Sequence, residues 1–128
     1  VKLLLDTHAL IWAMTSPGKL SRRAARTIAD DRNTIQVSAA SAWEIATKVR
    51  LGKLQEAEAL ERVFLDAVGV AGYTMLVIEA TTALRAGRLT AEHRDPFDRM
   101  IAAQALDDDI PLVSGDTKLD LFGVRRIW

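Results

Sequence analysis

The sequence predicts an α/β fold whose central sheet is mainly parallel and covered by helices on both faces. Three observations carry that prediction. Strand-like apolar segments alternate with segments of helical periodicity along the chain. The first of them, Val1–Leu5, is apolar apart from one Lys, the pattern of a strand buried on both faces. No repeat, low-complexity tract or linker interrupts the 128 residues, so residues 1–128 read as a single domain with a sizeable core.

The elements follow in order. After the Val1–Leu5 strand, His8–Met14 reads as a short helix closed by Ser16-Pro17-Gly18. Ser21 is placed to cap a helix reaching Ala29, with Ala24, Ala25 and Ile28 on its apolar face. Thr34–Ser38 is a second strand. Ser41–Arg50 is a helix stopped near Gly52, and Ser41 with Glu44 matches a capping box. Gln55–Val68 reads as one longer amphipathic helix, since Leu60, Val63, Phe64, Ala67 and Val68 recur at helical spacing. Tyr73–Ile78 is a third strand, and Glu79–Ala86 a helix ending at Gly87. Asp95-Pro96 is a helix start, with Asp as cap and Pro at the first helical position, opening a helix over Pro96–Leu106. Ile110–Val113 and Val124–Trp128 complete a sheet of five strands.

Composition narrows the chemistry. Hydrophobic residues make up 49% and charged residues 27%, as in globular proteins. The absence of cysteine excludes disulfides, thiolate zinc sites and cysteine nucleophiles. A net charge of zero gives no global signal for nucleic acid, but an acidic cluster would cancel a local basic strip in that total. No apolar run is long enough to span a membrane, and Asp6 interrupts the N-terminal apolar stretch too early for a signal peptide. The expectation is a cytoplasmic protein without membrane contact.

Four acids stand where a parallel sheet would bring them together. Asp6 and Asp116 follow strands, and ligands of such sheets bind beyond the carboxyl ends of the strands. Glu44 follows the second strand, and Asp98 lies in the first turn of the helix opened by Asp95-Pro96. Carboxylates gathered in one pocket repel one another, so a cation usually joins them, and hard oxygen ligands favour Mg²⁺ or Mn²⁺. Each acid also has a purely structural reading as a helix cap or first-turn residue, stabilised by roughly 0.3–1 kcal/mol through the helix dipole. Asp98 is favoured over Asp95 as ligand, because Asp95 is the natural cap. Thr7 and Ser114 adjoin the acids and are placed to orient a ligand or water; Arg99 and Lys48 are candidates for holding phosphate, and each equally fits a solvated helix face. His8 and His93 read as surface or hydrogen-bonding residues, and Trp12, Trp43 and Trp128 as core or partner contacts.

Four segments carry a resemblance. Leu3-Leu4-Leu5-Asp6-Thr7-His8, Ser41-Ala42-Trp43-Glu44-Ile45-Ala46-Thr47-Lys48, His93-Arg94-Asp95-Pro96-Phe97-Asp98-Arg99-Met100-Ile101-Ala102-Ala103-Gln104-Ala105 and Leu112-Val113-Ser114-Gly115-Asp116 resemble, in this order, the motifs of PIN-domain proteins, above all the VapC toxins of bacterial VapBC toxin–antitoxin pairs. The resemblance implies a PIN-like α/β/α sandwich and an Mg²⁺- or Mn²⁺-dependent endoribonuclease that hydrolyses RNA phosphodiester bonds with a metal-activated water. It implies metal ligation by Asp6, Glu44, Asp98 and Asp116, with the third acid falling on Asp98 rather than Asp95. It implies homodimers and a VapB-type antitoxin that blocks the site. Ser114-Gly115 departs from the pattern, standing where Thr and a polar residue are common.

Two other classes fit the chain less well. A receiver domain or aspartyl phosphatase needs an Asp-x-Asp motif or a phosphoacceptor Asp after the third strand, but Asp6 is followed by Thr7-His8 and the third strand runs into Ile78-Glu79. A non-catalytic PIN-like RNA- or protein-binding module would be favoured by loss of acids, and all four are present.

Overall fold

Five parallel strands form the sheet, in the order β3-β2-β1-β4-β5, in a computed structural model that describes residues 1–128. The strands are β1 (Lys2–Leu5), β2 (Thr34–Ser38), β3 (Thr74–Leu76), β4 (Leu112–Val113) and β5 (Arg126–Ile127). The helices are α1 (Thr7–Thr15), α2 (Arg22–Ala29), α3 (Ala39–Arg50), α4 (Glu58–Arg62), α5 (Phe64–Val70), α6 (Ala80–Arg88) and α7 (Pro96–Asp107). None is long and apolar enough to cross a membrane.

Alternation along the strands divides the core in two. Leu3, Leu5, Ile35, Val37 and Val113 face a cluster completed by Leu10, Ile11, Ile45, Leu60, Phe64 and Val68 from the helices on that side. Leu4 and Leu112 face the other way, onto Ile101, Ala102 and Ala105 of α7 together with Leu119 and Phe122. Small residues let α7 lie close to the sheet, and its buried Gln104 ties the layers together. Its amide accepts from Ser38 Oγ and donates to the Val77 carbonyl at 3.2 Å. Taking the Val77 carbonyl out of the ladder accounts for β3 being shorter than the expected Tyr73–Ile78.

Three local expectations are corrected. The helix expected over Gln55–Val68 is a 3₁₀ turn (Gln55–Ala57) and two helices, because Val63 leaves helical geometry at φ −125°, ψ 25°. Val63, read as inward, is 52% exposed there, while Leu60, Phe64 and Val68 keep the buried face. The capping box does not form. Helix α3 begins two residues before Ser41, capped by Ser38, whose Oγ accepts from the Ala40 N–H at 2.9 Å. Gly87 does not end its helix, which continues to Arg88.

β1 is central. The chain leaves it toward β2 and β3 on one side and reaches β4 and β5 on the other. Beyond the carboxyl ends of β1 and β4 the connections diverge, and such a switch point opens a crevice for ligands.

Candidate active site

Asp6 is the first residue past β1, with extended backbone at φ −76°, ψ 172°. Its Oδ1 accepts from the Ala9 N–H at 2.7 Å and caps α1. The structural and functional readings are therefore compatible, since one carboxylate oxygen serves each. The residue is only 6% exposed. Burial pushes its carboxyl up to about 6, against hydrogen bonds from Ser114 and Ala9, and the charge of Asp98 adds to the rise.

Glu44 reaches the same crevice from α3. Freed from the expected capping role, its buried carboxylate pairs with Lys48 one turn on through Oε2. Its Oε1 is buried without any partner. Ser41 turns to Thr7 instead, their hydroxyl oxygens 3.0 Å apart, joining α3 to α1 beneath the site.

Asp95 takes the capping role that its place before Pro96 predicts. Asp95 Oδ1 accepts from the N–H groups of Phe97 (2.8 Å) and Asp98 (3.1 Å), capping α7. Asp98 Oδ2 lies 2.7 Å from His93 Nε2. Burial is the main cause holding the Asp98 carboxyl above the usual carboxylate range; Asp95 and Glu44 push the same way and His93 opposes. Asp116 follows β4, caps the 3₁₀ turn Thr117–Phe122 through the Lys118 N–H at 2.9 Å, and donates its own N–H to Ser114 Oγ at 3.0 Å.

All four predicted acids, with Asp95, Thr7 and Lys48, line one cleft of about 690 Å³. Lys19 and Lys118 join Lys48 there, so three lysines face five carboxylates. Ser114 is fully buried beneath the loop that carries Asp116. The residues fit a hard divalent cation. Oxygen donors from four separate elements line one cleft, two carboxyls are raised by burial and by neighbouring carboxylates, and Glu44 Oε1 has a lone pair with no protein donor.

Sequence reasoning passed over His93 as a site residue, and Lys19 and Lys118 with it. Ligand atoms of His93, Asp98 and Asp116 all lie within 4.8 Å of one another. No periodicity marks a loop residue, and the only available signal is its closeness in sequence to Asp98. What brings it in is Arg99, which does not line the cleft and is not placed to hold phosphate there. Its guanidinium donates to the carbonyls of Ala86, Ala91 and His93, each at 3.0 Å, to Gly87 at 3.4 Å, and to Leu89. One planar fork gathers the whole connection between α6 and α7. A lysine keeps the charge but not the fork. Arg99→Lys is therefore expected to lower stability by about 2 kcal/mol, read from the urea midpoint, and to free the His93 loop.

The family model described as PIN domain matches residues 3–124. Among solved structures, similarity spans nearly the full length on both sides. VapBC2 from Rickettsia felis, bound to a DNA fragment from its promoter, superposes with a TM-score of 0.70 at 17% identity, covering 99% of this chain and 98% of that one. FitAcB from Neisseria gonorrhoeae gives 0.66 at 19% identity, with 98% and 96% covered. VapC20 from Mycobacterium tuberculosis, described as a sarcin-ricin loop cleaving toxin, gives 0.62 at 16% identity, with 95% of each chain covered. No curated protein matches by sequence. At these identities the structural likeness speaks for the fold, which is the α/β/α sandwich with a wholly parallel sheet.

Proposed function

Because the chain belongs to the PIN domain family, we propose that it is an Mg²⁺- or Mn²⁺-dependent endoribonuclease acting as one domain, the toxin half of a VapBC-type pair. The observation that carries this is the convergence of Asp6, Glu44, Asp98 and Asp116 on one cleft at the switch point of the sheet, with Glu44 Oε1 buried and unpaired. The neighbours add support: one is described as a sarcin-ricin loop cleaving toxin and another as a VapBC assembly.

In this reading Asp6 and Asp98 are the principal ligands. Glu44 and Asp116 complete the shell, hold a water or bind a second ion. When bound, the cation would lower the pKa of a water, so that its hydroxide becomes the nucleophile for phosphorus, and would offset charge on the phosphate. The protein does the rest. Lys48 holds one oxygen of Glu44 and leaves the other available. His93 orients Asp98 through Oδ2. Lys19 and Lys118 offset the charge of an entering phosphate against the five carboxylates. This chemistry makes no use of the 2′-OH, so preference for RNA rests on the family. The partners proposed are an RNA substrate, a VapB-type antitoxin that covers the cleft and a second copy of the chain in a homodimer, with the cytoplasm as the place of action.

The test is cleavage of total cellular RNA by purified, antitoxin-free protein with Mg²⁺, Mn²⁺ or EDTA. Discrete fragments with either metal and none with EDTA are expected, and the fragment ends identify the target. Metal-independent fragments, or none from protein shown to be folded, would overturn the reading.

A further inference from the structure

The cleft is larger than a metal centre needs, and one part of its wall is aromatic. His8, Trp12 and Trp128 all line it, beside Asp6 and Asp116. Their rings form a contiguous row: His8 and Trp12 centroids are 5.6 Å apart at 55°, and Trp12 and Trp128 are 5.9 Å apart at 52°. At such tilts no ring lies flat on its neighbour, so the row does not consume its own faces. Trp12 also carries an indole N–H, shielded from solvent, with no acceptor in the protein.

The local chain is built around Trp128. A Cβ at position 115 would stand 2.9 Å from Trp128 Cε2, 3.1 Å from Cζ2 and 3.3 Å from Cδ2, so the indole lies against bare backbone one residue before Asp116. Any side chain at position 115 forces the ring away. This explains why Gly115 stands where a polar residue is common in the PIN-domain pattern: its missing side chain admits Trp128 to the cleft. Packing alone accounts for the inner edges of Trp12 and Trp128, which rest on the core. It does not account for two tryptophans and a histidine on the wall of a cleft otherwise lined by charged and polar residues.

Resting on the nuclease reading, we propose that His8, Trp12 and Trp128 form a stacking subsite for a nucleobase adjoining the scissile phosphate of single-stranded RNA. The carboxylate centre and the lysines take the phosphate. The aromatic wall takes the neighbouring base by its π-face, which every base presents, so the subsite demands an unpaired base more than a particular one.

The experiment compares binding of a uridine tetranucleotide with that of a base-free ribose-phosphate tetramer of equal charge. The full chain carries Asp98→Asn to prevent turnover and Trp43→Phe so that fluorescence reports the two cleft tryptophans. Trp43 is 59% exposed, packs on Phe97 and does not line the cleft. The uridine tetramer should quench fluorescence and bind at least about tenfold more tightly than the base-free one, equivalent to about 1.4 kcal/mol. Trp128→Leu should erase that preference without changing affinity for the base-free tetramer. Trp128→Phe should retain part of it, and Gly115→Ala, which leaves every ring in the sequence, should reduce it. Equal affinity for the two tetramers, or a parallel loss of both in Trp128→Leu with Trp128→Phe no better, would overturn the subsite. RNA cleavage by the chain with Asp98 intact separates the two ideas. Metal-dependent cleavage without base preference sinks the subsite alone, and base preference without cleavage supports the subsite and sinks the nuclease reading.

Discussion

Asp98→Asn is expected to lower metal-dependent RNA cleavage by on the order of a thousandfold while leaving the fold intact. Asparagine preserves shape, and its amide oxygen still accepts from His93 Nε2, which lies 2.7 Å from the present carboxylate. An acid in the first turn of α7 gains at most about 1 kcal/mol from the helix dipole. Removing one of several mutually repelling carboxylates offsets that loss, because Asp95 and Glu44 both disfavour the Asp98 charge. What disappears is an anionic oxygen donor, and with it most of the thermal stabilisation by Mg²⁺, which follows binding by linkage. Asp95→Asn is the matched control. Asparagine caps helices as well as aspartate does, so cleavage should stay within a few-fold of the parent. Comparable losses in the two variants, scored on the same RNA with melting curves alongside, would refute the division of roles between them.

The second large effect concerns Asp6 and pH. The folded-state carboxyl titrates at about 6, above the ordinary 3.8, because burial disfavours its charge. Between these values the folded chain binds more protons than the unfolded one. The contribution to stability is therefore full below pH 3.8 and is lost as pH rises through 6. Its size is about 3 kcal/mol, at about 1.4 kcal/mol per pKa unit. In EDTA, Asp6→Asn should lack this component of the pH dependence and should be more stable than the parent at pH 8 by about 2–3 kcal/mol, since asparagine still caps α1. With Mg²⁺ the order should invert, because only the parent gains from the cation, and cleavage by the variant should be lost. Urea midpoints at pH 4.5 and 8, with EDTA or Mg²⁺, give the four numbers needed. An unchanged pH slope in the variant would show that Asp6 is not the buried charge the cation relieves.

Much of this site could be read along the chain. Asp6 caps α1 and Asp95 caps α7, as their sequence positions require, because capping depends on a few neighbouring residues. The continuous apolar run ending at Asp6 marks a strand buried on both faces, and its leucines divide between two cores by simple alternation. Where local signals compete, sequence reading fails. Ser38 and Ser41 are both good caps, and the choice went to Ser38 because Ser41 is bound to Thr7, 34 residues away. The regular apolar spacing over Gln55–Val68 conceals the break at Val63, since the buried positions keep their four-residue interval on either side of it.

The sequence by itself determined the parallel α/β class, the places of Asp6 and Asp116 after strands and the capping of α7 by Asp95, all of which follow from short-range periodicity and capping. Only the tertiary structure decided that His93 stands against Asp98, that Arg99 clasps a loop instead of facing the cleft, and that Trp128 lies on Gly115 beside Asp116. Those contacts join a loop to a helix and residue 128 to the segment after β4. The first two are local in sequence but lie in a loop without periodicity, and the third depends on packing that brings residues 115 and 128 together, so neither kind leaves a pattern in the chain.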